Sequence, residues 1–187
     1  MREVMKLGAI LLIITAVAAG LLGYTNAITE GPIANQILQA NIIARQSVLP
    51  EAENFEEMSK EIFTGFDTVI EVHKGVNNGQ TVGYTVKTNP GGYGGPVEVM
   101  VGISSDAVIT GVSVGNHSET PGLGAKAADE NFRGQYSGKN ATGDLTVIKA
   151  GAPKENEIMA ISGATITSRA VTSGVNTAVK LFNEKLK

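Results

Sequence analysis

From Leu7 to Thr29 the chain carries no charged side chain and is almost continuously apolar (LGAILLIITAVAAGLLGYTNAIT). At about 1.5 Å per helical residue this run reaches about 34 Å, enough to cross a hydrocarbon core of about 30 Å. The pattern predicts a transmembrane helix in residues 1–29. A cleaved leader is the alternative, because Ala16-Val17-Ala18 resembles a small-residue cleavage site; the apolar run continues past it, which favours a retained anchor. Arg2 and Lys6 precede the run and Glu30 is the first charge after it, so the positive-inside rule places the N-terminus in the cytoplasm and the later residues outside.

Beyond the anchor the rhythm changes. Ile33, Ile37, Leu38, Ile42 and Val48 recur at helical spacing, interrupted by Asn41, and Pro50 should end that helix. Glu51, Glu53, Glu56, Glu57 and Glu61 follow, expected on a solvated helical face. Residues 30–62 therefore read as a stalk. Residues 63–187 read as the folded domain. Thr68–His73 is β-branched and alternating, Asn78-Gly79 is a two-residue hairpin signal, and 81–87 is the return strand. Pro96–Ile103 alternates, with Val97, Val99, Val101 and Ile103 on one side. Ala107–Val114 predicts another strand and Leu145–Lys149 a short one. Helices are expected near 125–136 (Ala125, Ala128, Phe132, Tyr136) and over Arg169–Lys187 (Val171, Val175, Val179, Leu186). Strands first and helices later give an α+β domain, an antiparallel sheet with packed helices.

Composition narrows the chemistry. Cysteine is absent and only His73 and His117 are histidines, which excludes disulfides, thiol catalysis, iron–sulfur clusters and multi-histidine or Cys-ligated metal sites. The formal charge of −3 without a basic stripe argues against nucleic acid. Chemistry must come from hydroxyls, carboxylates, backbone amides or a bound cofactor. His73 reads as a structural strand residue.

Three glycine-bearing motifs remain. Gly91-Gly-Tyr93-Gly-Gly-Pro96 is either a strand connector or a loop that lets backbone approach something closely. Glu119-Thr120-Pro121-Gly122-Leu123-Gly124 can wrap a planar or anionic ligand, or be a plain turn. Gly122–Ala127 formally matches G-x-G-x-x-A, but no strand ends directly before it and no βαβ unit surrounds it. Ile161-Ser-Gly-Ala-Thr-Ile-Thr-Ser168 precedes the last helix. Its hydroxyls could cap that helix. The same helix start, with free amides and a positive dipole end, also favours a phosphate, and a neighbouring hydroxyl can be esterified by one.

Ser162-Gly163-Ala164-Thr165, extended through Val171, resembles the flavinylation motif of the membrane FMN-binding domain family. The resemblance also takes in the Glu119–Gly124 loop, the Tyr93 loop, the anchor and the length. Within that family the chain resembles the G subunits of Rnf electron-transport complexes, related to the C subunit of the sodium-pumping NADH:quinone reductase. The sequence departs from the pattern at Met159, where the family has Asp three residues before the serine.

The resemblance implies FMN joined through its phosphate to Thr165 by a flavin transferase acting on FAD. It implies a phosphate region of Ser162, Gly163, Ala164 and Thr167, and a ring pocket of Glu119, Thr120, Leu123 and Gly124. Lys126 and His117 are adjacent candidates. It implies a single-pass subunit of a bacterial or archaeal cell membrane, with its FMN domain outside. This subunit would relay electrons between ferredoxin and NAD beside other membrane subunits, coupled to sodium or proton movement. No general acid, base or metal is implied. A stand-alone flavin carrier and a non-redox subunit with a merely capped helix are the alternatives.

Overall fold

The computed structural model describes all 187 residues, which divide into two compact units, Met1–Ile42 and Ile43–Lys187. Helix α1 (Arg2–Val48) forms all of the first unit except Met1 and supplies the opening residues of the second. It is long and apolar enough to cross a membrane. In the first unit the hydroxyls of Thr15, Thr25 and Thr29 donate back to the carbonyls of Leu11, Leu21 and Thr25 at 2.9–3.0 Å. These bonds satisfy polar groups that hydrocarbon would leave bare. Pro32 lies inside the helix, where it removes one amide from the hydrogen-bond ladder.

The segment expected as a stalk divides at Ile43. Its first part continues the helix, and its second belongs to the domain. The five glutamates do not share one helical face. Once Pro50 has stopped α1, Glu56 and Glu57 enter strand β1 (Asn54–Glu57), while Glu61 joins a 3₁₀ turn at Lys60–Phe63. Glu56 pairs with Lys74 at 2.8 Å. A short edge strand rich in charge resists pairing with other chains.

Strands β2 (Val69–Asn77), β3 (Gln80–Thr88), β4 (Val97–Ser104) and β5 (Ile109–His117) complete an antiparallel sheet in the order β1-β2-β3-β4-β5. The hairpin between β2 and β3 turns on Asn78 and Gly79, both at positive φ (49° and 78°), as its sequence predicts. Val72, Val86, Val101 and Val112 stand directly opposite one another across four strands and are fully or almost fully buried. Helix α3 (Thr165–Leu181) packs on β3 and β4 and joins those valines in the core through Val171, Val175, Ala178 and Val179. A π-helical turn, Phe182–Leu186, extends it, with Phe182 edge-on to Tyr84 at 6.0 Å.

The opposite sheet face is nearly side-chain-free where α1 ends. A Cβ on Gly75 or Gly83 would meet Leu49, and one on Gly102 or Gly111 would meet the backbone of Val48. Val48 and Leu49 are buried on this glycine patch, and the Thr110 hydroxyl donates to the Val48 carbonyl. The Arg45 guanidinium pairs with Glu71 at 3.2 Å beside it.

Three expectations change. The single helix near 125–136 is instead a 3₁₀ turn (Gly124–Ala128), one α-turn α2 (Glu130–Arg133) and a second 3₁₀ turn (Gly134–Tyr136). Asp129 is extended (φ −71°, ψ 145°) and breaks the run, although Phe132 and Tyr136 stay buried. The strand near 145–149, β6 (Thr146–Ile148), finds a parallel partner in β7 (Glu157–Met159), too short to show an alternation. The last helix begins four residues before Arg169, at Thr165.

Candidate functional site

Two glycine turns meet the N-terminus of α3. Pro121 and Gly122 (φ 77°) occupy the centre of a turn closed by the Leu123 amide donating to the Thr120 carbonyl, 3.1 Å. Gly163, also at φ 77°, sits in a second turn, closed by the Ala164 amide on the Ile161 carbonyl, 2.9 Å. Pro at the second and a positive-φ Gly at the third position suit a type II geometry. The third loop, Gly91–Pro96, links β3 to β4 and brings Tyr93 to the same place.

Between them lies a cavity of about 570 Å³. Glu119, Thr120, Leu123 and Gly124 line one side; Gly163, Ala164, Thr165 and Thr167 line the helix side. Tyr93 and Ile166 complete the wall. Of the residues expected in the phosphate region and ring pocket, only Ser162 lies off the cavity. Lys126 faces a separate groove with Met159, and the His117 Nδ1 accepts from the Glu119 amide at 3.3 Å without lining the cavity. His73 is buried in the sheet, where burial and the nearby Arg45 charge hold its pKa below 6.5. Tyr93 and Ile166 are not among the pocket residues expected from sequence. A lone aromatic among four glycines is the available signal for Tyr93; nothing marks Ile166. Both are exposed, as is Leu123, so the cavity mouth is rimmed by large apolar side chains.

The helix start is open. The residue before it, Ala164, provides no side-chain cap. The first helical amide bond runs from Ser168 to the Ala164 carbonyl (3.0 Å), which leaves the amides of Thr165, Ile166 and Thr167 without a partner. The capping role expected for the motif hydroxyls is therefore absent. Instead Ser168 accepts from the Ile161 amide (3.0 Å) and donates to the Ala164 carbonyl (2.9 Å), fixing the turn, while Thr167 donates to Glu119. The hydroxyls of Ser162 and Thr165 make no hydrogen bond. Within the motif, Thr165 alone has a free hydroxyl that also lines the cavity.

Glu119 is 6% exposed. Its Oε1 accepts from the Tyr93 and Gly94 amides (2.8 and 3.0 Å) and its Oε2 from the Thr167 hydroxyl, tying the Tyr93 loop to α3. Burial alone would raise its pKa; the donors from Thr167, Gly94 and Tyr93, with His117 nearby, outweigh burial and hold it below the ordinary 4.5. The folded form therefore takes up this proton at lower pH than the unfolded chain, and the tie's contribution is complete above pH 4.5 and drains away below it. In chemical denaturation, wild type should lose stability on acidification below pH 4.5, and Glu119→Gln should flatten that part of the profile. The His73 contribution falls in a different window, downward from pH 6.5, and should persist in the variant.

These residues fit a flavin mononucleotide. Three unpartnered amides at the start of a 17-residue helix suit a phosphate, the apolar rim suits a ring system, and no cation lines the cavity to compete with the helix end. Residues 92–180 match the FMN-binding domain family, so fold and site define an FMN-binding domain carried on a long apolar helix. Over 100% of its length the chain is 47% identical to the G subunit of the Na(+)-translocating ferredoxin:NAD(+) oxidoreductase complex of Acetobacterium woodii, covering 95% of that protein. It is 38% identical to the G subunit of the ion-translocating oxidoreductase complex of Methanosarcina acetivorans, over 95% of this chain and 94% of that one. The crystal structure of the C subunit of the Na(+)-translocating NADH-quinone reductase from Parabacteroides distasonis matches with a TM-score of 0.51 at 25% identity, over 62% of this chain and 63% of that one. The chain belongs to the family of G subunits of Rnf-type ion-translocating oxidoreductase complexes.

Proposed function

We propose that this chain is the FMN-bearing relay subunit of a membrane ferredoxin:NAD oxidoreductase complex coupled to sodium or proton translocation, with FMN esterified through its phosphate to Thr165. One observation carries the reading. Thr165 is the first residue of α3, lines the cavity with an unbonded hydroxyl, and sits beside three open amides. The phosphate would rest on those amides, so that the helix end meets its charge. Gly163 and Ala164 shape that end, Ser162 flanks it, and Thr120, Leu123 and Gly124 form the facing wall. FMN supplies one- and two-electron transfer, and the protein's part is to hold the ring and set its surroundings.

Attachment calls for a flavin transferase as a maturation partner. The Thr165 oxygen attacks the FMN phosphorus of FAD, the phosphoanhydride bond breaks, AMP leaves, and the hydroxyl proton passes to a base on the transferase. A covalent tether prevents loss of the cofactor from a domain facing dilute surroundings. Arg2 and Lys6 before the apolar run support an N-terminus in the cytoplasm and the domain outside. The helix holds no ionisable group between Leu7 and Thr29 apart from the Tyr24 phenol, so ion passage is assigned to the neighbouring membrane subunits.

Intact-mass measurement of the full-length protein, produced with its membrane partners and a flavin transferase, tests this. The mass should exceed that of the bare chain by one FMN less one water. A bare mass and a colourless protein in the assembled complex would overturn it.

A further inference from the structure

We propose that Glu119 sets the reduction potential of the bound flavin, holding it down by keeping an uncompensated negative charge in the cavity wall. This rests on the FMN reading above. The carboxylate is 6% exposed and lines the cavity, so a flavin filling that cavity would displace the water between the ring and the charge. No lysine or arginine pairs with it. Electrons arriving on a ring in the same cavity bring charge of the same sign, and in a poorly screened site that repulsion is far stronger than in water.

The surroundings are built to keep this group in place and ionised. A Cβ at Gly92 would strike Glu119 Oε1; one at Gly124 would strike Oε2 and lie 2.6 Å from the Thr167 hydroxyl. Two of the glycine motifs legible in the sequence thus make room for one carboxylate. Three donors then fill its two oxygens. A purely mechanical tie between the Tyr93 loop and α3 requires no charge. A glutamine could accept the same two amides and donate to the Thr167 oxygen instead. Glutamine thus keeps the contacts, through weaker neutral hydrogen bonds, and takes only the charge out of the cavity wall.

The test compares full-length wild type, Glu119→Gln and Thr167→Val, each carrying FMN, by spectroelectrochemical titration at pH 8. Flavin occupancy is checked by intact mass. Glu119→Gln keeps the shape and removes the charge, so its midpoint potential should shift upward. Thr167→Val removes one donor from the carboxylate and keeps the charge, so its potential should fall below that of wild type. An unshifted potential in Glu119→Gln overturns the proposal, as does an upward shift in Thr167→Val. If Glu119→Gln carries no flavin, Thr167→Val decides: a lowered potential supports the proposal, and an unshifted or raised one overturns it. A wild-type chain without flavin would instead sink the FMN reading itself.

Discussion

Thr165→Val, produced beside the flavin transferase, should yield a folded, colourless protein whose mass lacks the FMN increment. The effect is all-or-none because no second hydroxyl in the motif meets both conditions. Thr167 lines the cavity but is committed to Glu119, and Ser162 is free but lies off the cavity. Valine keeps the β-branch and the volume in the first turn of α3. The lost hydroxyl makes no hydrogen bond, so the expected stability change is within about 0.5 kcal/mol. Thr165→Ser restores the nucleophile and should regain the adduct, which separates loss of chemistry from loss of shape. An adduct that survives in Thr165→Val would move the attachment elsewhere.

The largest effect on stability is expected at Gly102→Val. In the folded domain a side chain there meets backbone: the Val48 carbonyl group, whose carbon lies 2.7 Å from the Cβ position, with the Thr110 hydroxyl at 2.6 Å. A flexible neighbour could move aside, but these atoms belong to the last turn of α1 and to the bond that fixes it. Overpacking a rigid contact costs about 1–3 kcal/mol. The substitution should lower the denaturation midpoint and accelerate amide hydrogen exchange over residues 43–52. The α3 amides, on the other sheet face, should retain their protection relative to global unfolding. Unchanged exchange at 43–52 would show that the glycine patch is not what seats the helix end.

How much of this is readable from sequence depends on how far apart the interacting residues lie. The anchor needs only composition. The β2–β3 hairpin needs two residues, Asn78 and Gly79, whose backbone preference is local. Valine alternation in β4 gives the core face directly. The helix expected near 125–136 fails because its apolar spacing survives in three separate turns: Phe132 and Tyr136 remain buried while Asp129 breaks the backbone. The start of α3 is hidden because Thr165, Ile166 and Thr167 are β-branched, two of them with hydroxyls, which reads as loop until packing imposes the helix.

At the site, eight of the nine expected residues line one cavity, and Ser162 does not. Sequence places Glu119 only as part of the ring wall. Its tie to Thr167 joins residues 48 positions apart, and its bonds to Tyr93 and Gly94 span 26 and 25. No local pattern encodes such contacts. The capping alternative is also open from sequence, because serine and threonine at a helix start usually cap it. In the folded chain Ala164 occupies that position, and the amides stay available for an anion.

Trypsin should release residues 155–169 as a single peptide bounded by Lys154 and Arg169, holding every hydroxyl of the motif. Mass spectrometry of that peptide, taken from the native membrane assembly and fragmented to place the modification, tests the central claim most directly. The account predicts one FMN phosphate carried on Thr165; an unmodified peptide, or a flavin on Ser162, Thr167 or Ser168, would contradict it.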